Sequence, residues 1–123
     1  MEATKQAIEL PELNAGEHYA GILIGKNGAP NHHVILLPGD DGERDWEAAK
    51  EWAASIGGEL PTRREQSLMF ANLGEQFKRD WYWSTEENGS GWAWSQDFYL
   101  GYQTTSVKSA ALRARAVRRL IIQ

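Results

Sequence analysis

The sequence contains no cysteine, so neither disulfides nor thiolates contribute to its stability or chemistry. Small secreted domains are commonly cross-linked by disulfides, and a chain without them suits a reducing compartment or an assembly made there. The absence also excludes catalysis by a cysteine nucleophile or a cysteine-bound metal. The fold therefore has to be stabilised by its core alone.

The sequence also lacks any apolar stretch long enough to cross a bilayer, and residues 1–9 are too polar for a secretory signal. A chain of 123 residues has room for one domain, and its 41% of hydrophobic residues is enough for one core. We therefore expect a single soluble domain that does not insert into membranes.

Tryptophan is abundant, and its six copies occur in three close pairs. The pairs are Trp46 with Trp52, Trp81 with Trp83, and Trp92 with Trp94. Because large aromatic rings are usually buried, we predict that each pair anchors the core. An exposed platform for a sugar ring or a base is the alternative for each pair.

Charge is unevenly distributed along a chain whose formal net charge is −4. Residues 1–59 contain eleven acidic and four basic side chains, whereas residues 60–123 contain six acidic and nine basic ones. On one strand, Arg113, Arg115 and Arg119 would form a basic stripe that could contact nucleic acid. Since the whole chain is acidic, we instead expect its acidic half to fold against its basic half, with no nucleic acid as partner.

Turn chemistry and periodicity predict the first elements. Residues 1–16 show no period and are interpreted as a lead-in arm, followed by one domain over residues 17–123. Strands at 18–24 and 33–37 flank an Asn-Gly turn and predict a β-hairpin. Pro38 and the residues to 42 are expected to form a loop.

Two helices and further strands follow in the pattern. Asp45 is positioned to cap a first helix that ends at two glycines, and Thr62 with Glu65 predicts a capping box for the second. Alternation then predicts the strands 81–86, 92–98, 102–107 and 112–120. Segregated helices and short antiparallel strands predict an α+β fold.

Several of these segments, in this order, resemble one superfamily. Residues 45–53 and 57–65 resemble the helix starts of C-type-lectin-like domains and of their formylglycine-generating-enzyme-like branch. Residues 81–86, 91–94 and 112–118 resemble the Lcl C-terminal-type domain, which is frequent in phage and prophage proteins and in bacterial surface adhesins.

The resemblance covers roughly residues 17–120 and implies a C-type-lectin-like fold. Two helices would pack on short antiparallel strands, the N- and C-terminal strands would pair, and Arg115 and Arg118 would bind acidic or carbonyl groups within the fold. With the core and capping predictions, the expected structural residues are Trp46, Trp83, Trp92, Trp94, Thr62, Glu65, Arg115 and Arg118.

Enzymatic activity is not expected, because formylglycine-generating chemistry requires cysteine and no Gly-x-Ser-x-Gly motif is present. No cofactor is expected either. His32 and His33 are adjacent on a strand and point to opposite faces, so they cannot share a metal ion with His18. Calcium on the later loops stays open, with a candidate ligand set of Glu86, Glu87, Asn88 and Asp97.

The remaining candidate site is a surface formed by residues 86–91 and 99–105. Tyrosines among small polar groups are typical of adaptable recognition surfaces, although an ordinary polar rim has the same composition. The candidate ligand-binding residues are Glu87, Asn88, Ser90, Tyr99, Tyr102 and Gln103.

We therefore predict a non-catalytic binding module of phage or prophage type that recognises a host protein or a glycan. As a virion-associated adhesin it would gain avidity as a homo-oligomer, which the sequence leaves open. The alternative is a small phage protein in the host cytoplasm that modulates a host protein, such as a defence component. A formylglycine-generating-like enzyme is a third alternative, against which the missing cysteine argues.

Overall fold

A computed structural model describes residues 9–123, and the first eight residues of the expected lead-in arm lie outside that range. Within this range the chain forms two helices and eight strands, which confirms the predicted α+β class. The strands of the first half are β1 (His18–Leu23), β2 (His32–Leu36) and β3 (Asp41–Arg44), followed by helices α1 (Trp46–Ser55) and α2 (Arg63–Leu73). The later strands are β4 (Trp81–Glu87), β5 (Trp92–Asp97), β6 (Gln103–Val107), β7 (Leu112–Ala114) and β8 (Val117–Ile121).

The strands form a three-stranded sheet ordered β1-β2-β8 and a five-stranded sheet ordered β3-β7-β4-β5-β6. All pairings are antiparallel except that between β4 and β7, which meet in parallel at Tyr82 and Arg113. The resemblance implies that the N- and C-terminal strands pair. The last strand, β8, does join the first hairpin, but it pairs with β2 and not with the first strand, β1. Strand β2 takes the central position because three successive apolar residues, Val34, Ile35 and Leu36, are fully buried there.

Two elements differ from the sequence prediction. The expected strand over 112–120 is two strands, because the chain leaves the five-stranded sheet after β7 and joins the three-stranded sheet at β8. In the short segment between β7 and β8, the Ala116 carbonyl accepts from the Leu37 N–H. The expected loop after Pro38 contains β3, which pairs with β7. Strand β3 is a short, charged edge strand, so it lacks the apolar alternation on which strand prediction depends.

Both predicted helix starts are confirmed. At the start of α1, the Asp45 carboxylate accepts from the Ala48 N–H at 2.8 Å. At the start of α2, the Thr62 hydroxyl accepts from the Glu65 N–H at 3.2 Å, and the Glu65 carboxylate accepts from the Thr62 N–H at 2.8 Å. The helices contain 10 and 11 residues, and in the described part of the chain no helix is long and apolar enough to span a membrane.

Strand β4 lies between two hydrophobic clusters. Its Tyr82 packs with Met69 and Leu73 of α2, whereas the adjacent Trp83 packs with Trp46 and Ala49 of α1. Successive side chains of a strand point to opposite faces, so the two helices cover opposite sides of β4. Trp46 and Trp83 also donate their indole N–H groups to the Ser84 and Arg44 carbonyls, each at 2.8 Å.

The predicted burial of tryptophan is therefore correct for Trp46 and Trp83, but it is wrong for Trp92. The Trp92 side chain is 47% exposed, and Trp94 is half-buried with the Arg63 guanidinium 3.4 Å from its ring centroid. Arg63, the first residue of α2, thus covers the ring of Trp94.

Candidate binding surface

The structure places the turns of the two predicted binding segments apart, although Glu86 and Gln103, one from each segment, line the same cleft. The turn that contains Asn88 and Ser90 joins β4 to β5, whereas the turn that contains Tyr99 and Tyr102 joins β5 to β6. Strand β5 has six residues and separates the two turns by roughly 20 Å, at about 3.3 Å per residue. The exposed residues of the two turns, Asn88 and Ser90 on one and Tyr99 and Tyr102 on the other, therefore do not form one continuous surface.

At the β4–β5 turn, Asn88 and Ser90 are exposed and Glu87 pairs with a cation. The Lys108 ammonium donates to the Glu87 carboxylate at 2.5 Å and to the Ser90 carbonyl at 2.9 Å. The hydrogen bond from Lys108 lowers the pKa of the Glu87 carboxyl. Glu87 therefore stabilises the start of its own turn.

Gln103 belongs to neither turn surface, because its amide connects β6 to α2. Its Oε1 accepts from Arg63 Nε at 3.0 Å, and its Nε2 donates to the Arg63 carbonyl at 2.8 Å and to Gln96 Oε1 at 2.7 Å. With both ends of the amide engaged, Gln103 positions the first turn of α2.

A cleft of about 450 Å³ opens beside this first turn. Its walls come from β1, β2, α2, β4 and β6, and the lining residues are Leu23, His32, Thr62, Arg63, Arg64, Ser67, Glu86 and Gln103. Three of its polar groups are engaged within the chain: His32 contacts Glu65 at 2.8 Å, Arg64 donates to the Ile24 carbonyl at 2.9 Å, and Glu86 accepts from the Arg63 N–H at 2.7 Å.

Glu65 lies fully buried behind this cleft and has two partners, Arg119 and His32, besides its own cap. Burial opposes its ionisation, but hydrogen bonds from Arg119, the Thr62 N–H and His32 together outweigh that effect and lower the pKa of the carboxyl. The Arg119 guanidinium donates to both carboxylate oxygens, at 2.7 and 2.8 Å. Glu65 thus holds α2 to β2 and β8 as well as capping α2.

The β5–β6 turn exposes three large side chains, which we call the aromatic tip: Tyr99, Leu100 and Tyr102. Their exposed fractions are 54%, 59% and 65%. Soluble proteins expose scattered apolar side chains, but neighbouring ones on a single turn indicate an interaction site.

The backbone of the aromatic tip is fixed by Asp97, the last residue of β5. Its buried carboxylate accepts from the Tyr99 N–H at 2.8 Å and from the Leu100 N–H at 3.1 Å. The Asp97 main chain also bonds to Gly101 and Tyr102, at 2.9 and 2.8 Å. The tip is therefore ordered before any ligand arrives.

Gly101 and Phe70 determine how the tip sits on the body. Gly101 has φ +86°, and a Cβ at this position would lie 2.9 Å from a Phe70 ring carbon. The ring of Phe70 in turn packs edge-on against Phe98, with centroids 6.0 Å apart. The turn thus rests directly on the aromatic core under α2.

The C-terminal arginines are engaged within the fold. Arg118 pairs with Glu17 at 2.9 Å, and Arg113 contacts Asp40 and Asp80 at 3.1 and 3.0 Å. Arg119 also reaches Glu59, at 2.8 Å. Asp40, Glu17 and Glu59 belong to the acidic first half, so these pairs join the two halves, and Arg113 and Arg119 of the candidate basic stripe are paired within the fold.

Arg115 is buried and donates to the carbonyls of Gln76 and Leu37, at 2.5 and 3.0 Å. Its desolvation lowers the pKa of the guanidinium. At Glu17, by contrast, the hydrogen bond from Arg118 lowers the pKa of the carboxyl to about 2, although burial opposes this.

The candidate metal ligands are dispersed. Asp97 lies at the aromatic tip, far from Glu87 and Asn88 at the other end of β5. His33 contacts the Tyr19 hydroxyl at 2.7 Å, on the face opposite His32. Across residues 9–123, no group of three or more His, Asp or Glu side chains has an arrangement that could hold a metal ion.

Sequence reasoning identified Tyr99 and Tyr102 but overlooked Leu100, which follows Tyr99. It also overlooked Arg79, which lies beside the Tyr99 ring and whose neighbour Asp80 accepts from the Phe98 N–H at 3.0 Å. The run from Phe98 to Tyr102, four large apolar residues around one glycine, was the available signal for Leu100.

In comparisons with known proteins, no family model matches the chain and no curated protein matches it.

Proposed function

We propose that this chain is a non-catalytic binding module with a C-type-lectin-like fold, of the kind found in phage and prophage proteins, which recognises a macromolecular ligand. The observation that carries the proposal is the aromatic tip, where three large side chains are more than half exposed on a fixed turn. Ordered aromatic groups lose little conformational entropy when they bind, so they give a large contact area at low cost.

The arrangement of the helices supports the fold assignment. Helices α1 and α2 lie on opposite sides of β4, and the last strand returns to the first hairpin. This agrees with two features that the resemblance implies, two helices packed on short antiparallel strands and a last strand that joins the N-terminal ones, here at β2.

The shape and composition of the tip favour a protein ligand over a glycan. The tip is a projecting turn, whereas small molecules usually bind in concave sites. Its central residue, Leu100, has no group that could bond to a sugar hydroxyl, and Tyr-rich apolar clusters are typical of hot spots at protein interfaces. A virion-associated adhesin and an intracellular modulator of a host protein would both use such a surface.

The first prediction concerns the double variant Tyr99→Ser, Tyr102→Ser. We expect it to lose capture of proteins that the unchanged chain retains from bacterial lysates or envelope fractions, because the two phenol rings supply most of the contact area. Its free energy of unfolding should change by no more than about 0.5 kcal/mol for each exposed site. Affinity capture with mass spectrometry and urea unfolding measure the two effects.

Trp92→Ser is the matched control, since it removes an equally exposed aromatic side chain at the other end of β5. It should leave the captured proteins unchanged. Capture that survives the tyrosine changes but is lost in Trp92→Ser would refute the tip as the binding surface.

A further inference from the structure

We infer that the segment bound by the aromatic tip is an acidic stretch of a partner protein that carries at least one large apolar side chain. This inference rests on the proposed function and adds the chemistry of the partner. The observation behind it is an exposed cation beside the tip, Arg79, which follows a second exposed cation, Lys78, in the sequence.

Arg79 belongs to the same surface as the tip, and Lys78 precedes it in the chain. The Arg79 guanidinium lies 5.0 Å from the centroid of the Tyr99 ring. The following residue, Asp80, is tied to the tip's strand by its carbonyl, which accepts from the Phe98 N–H. A ligand that covers Tyr99 therefore meets a cation at its edge.

Neither cation is neutralised within the described part of the chain. Lys108, Arg113, Arg118 and Arg119 each pair with a carboxylate, whereas Lys78 and Arg79 have no carboxylate within salt-bridge distance there. Asp80, the nearest acid in sequence, is paired with Arg113 at 3.0 Å.

The charge beside the tip is opposite in sign to the net charge of the chain, which is −4. Arg79 beside the apolar contact, with Lys78 next to it in the sequence, would attract an acidic partner to this edge of the tip and orient it, and such steering acts chiefly on the association rate.

Nucleic acid fits the patch less well. A sugar–phosphate backbone is bound by several cations along a groove, and each phosphate contact adds to the salt dependence of binding. Among the described residues, Arg79 is the one whose cation contacts a ring of the tip, and the tip is a projecting turn, not a groove along which a strand could lie.

The test begins with a random peptide library selected on the full chain and counter-selected on the Tyr99→Ser, Tyr102→Ser variant. We expect the recovered peptides to be enriched in Asp and Glu around a large apolar residue. One recovered peptide, made synthetically, should bind roughly tenfold more weakly to the double variant Lys78→Ala, Arg79→Gln, mainly through slower association. Its affinity for the unchanged chain should fall as salt rises, and this salt dependence should be smaller for the variant.

Lys26→Ala is the control, because Lys26 is an exposed lysine on the β1–β2 turn. The affinity of this variant for the peptide should equal that of the unchanged chain. Peptides without acidic enrichment, or equal affinity for the Lys78→Ala, Arg79→Gln variant, would overturn the inference and leave the tip as a binding surface. Recovery of no peptide that depends on Tyr99 and Tyr102 would count against the proposed function itself.

Two other occupants give distinct results, and either would overturn the acidic partner. If a second copy occupies the tip, light scattering will show a concentration-dependent dimer that the tyrosine changes abolish. If nucleic acid does, a fluorescent single-stranded oligonucleotide will bind more tightly than any recovered peptide and will lose affinity in the Lys78→Ala, Arg79→Gln variant.

Discussion

The carboxylate of Glu65 shows how much one residue can do beyond its local role. Thr62 and Glu65 are three residues apart, so their capping box could be predicted from sequence. His32 and Arg119, the other partners of Glu65, lie 33 and 54 residues away, and no local pattern connects them. Sequence therefore identified the right residue but only the nearer half of its contacts.

The Glu65→Gln variant separates these two roles. The amide oxygen can still accept from the Thr62 N–H, but the bidentate pair with Arg119 is lost and leaves a partly buried cation. We expect the free energy of unfolding to fall by about 2–3 kcal/mol, somewhat less than for a fully buried pair because Arg119 retains contact with solvent. Urea unfolding at neutral pH measures the change.

Glu59→Gln is the control at this scale. Glu59 pairs with the same arginine, but its side chain is 72% exposed, so its removal should cost no more than about 0.5 kcal/mol. Equal losses for the two variants would mean that Glu65 contributes little beyond its cap.

Among the elements, the β5–β6 turn is the one whose conformation matters most for the proposed function. We expect Gly101→Ala to destabilise the chain by about 2–3 kcal/mol, because alanine is strained at positive φ and its Cβ would clash with Phe70. The turn should also shift, which should weaken ligand capture. Thermal unfolding and the capture assay would show both effects.

Gly89→Ala isolates the backbone part of that cost. Gly89 has φ +80° but nothing within 4 Å of an added Cβ, so the loss should be about 1 kcal/mol. If both alanine variants lose the same stability, the turn does not rest on Phe70 as the structure describes.

The elements also show where local prediction succeeds and fails. The first hairpin and both helix starts were predictable because Asn-Gly, Asp45 and the capping box act within a few residues. Strand β3 and the break between β7 and β8 depend on partners far away in sequence. The separation of the β4–β5 turn from the β5–β6 turn could have been anticipated from sequence. Successive turns of an antiparallel meander lie at opposite ends of the strand that joins them.

For the whole molecule, the decisive feature is the set of ion pairs between its acidic and basic halves. Arg113, Arg118 and Arg119 lie near the C-terminus and bind Asp40, Glu17 and Glu59 of the first half. The opposite charge of the two halves predicted this association, but the individual partners depend on the sheet topology. These pairs should make the stability of the fold sensitive to acid.

The pair of Glu17 with Arg118 sets the pH range of this effect. The pKa of Glu17 is about 2 in the folded chain, compared with 4.5 as the reference value. Between these values the unfolded chain binds a proton that the folded chain does not, so the contribution is complete above about pH 5 and is lost as the pH falls towards 2. Because the Arg118 side chain is about one quarter exposed, solvent screens the pair. We therefore expect the pair to contribute about 1 kcal/mol to the free energy of unfolding.

Thermal unfolding of Glu17→Gln across pH 2–7 measures this contribution. The variant should be less stable than the unchanged chain above pH 5, and the two melting temperatures should converge as the pH approaches 2. Glu51→Gln, which removes an exposed carboxylate on α1, should follow the unchanged chain at every pH. A difference between Glu17→Gln and the unchanged chain that stays constant down to pH 2 would mean that the pair is not the source of the stability, and that the substitution acts through contacts that do not depend on the charge of Glu17.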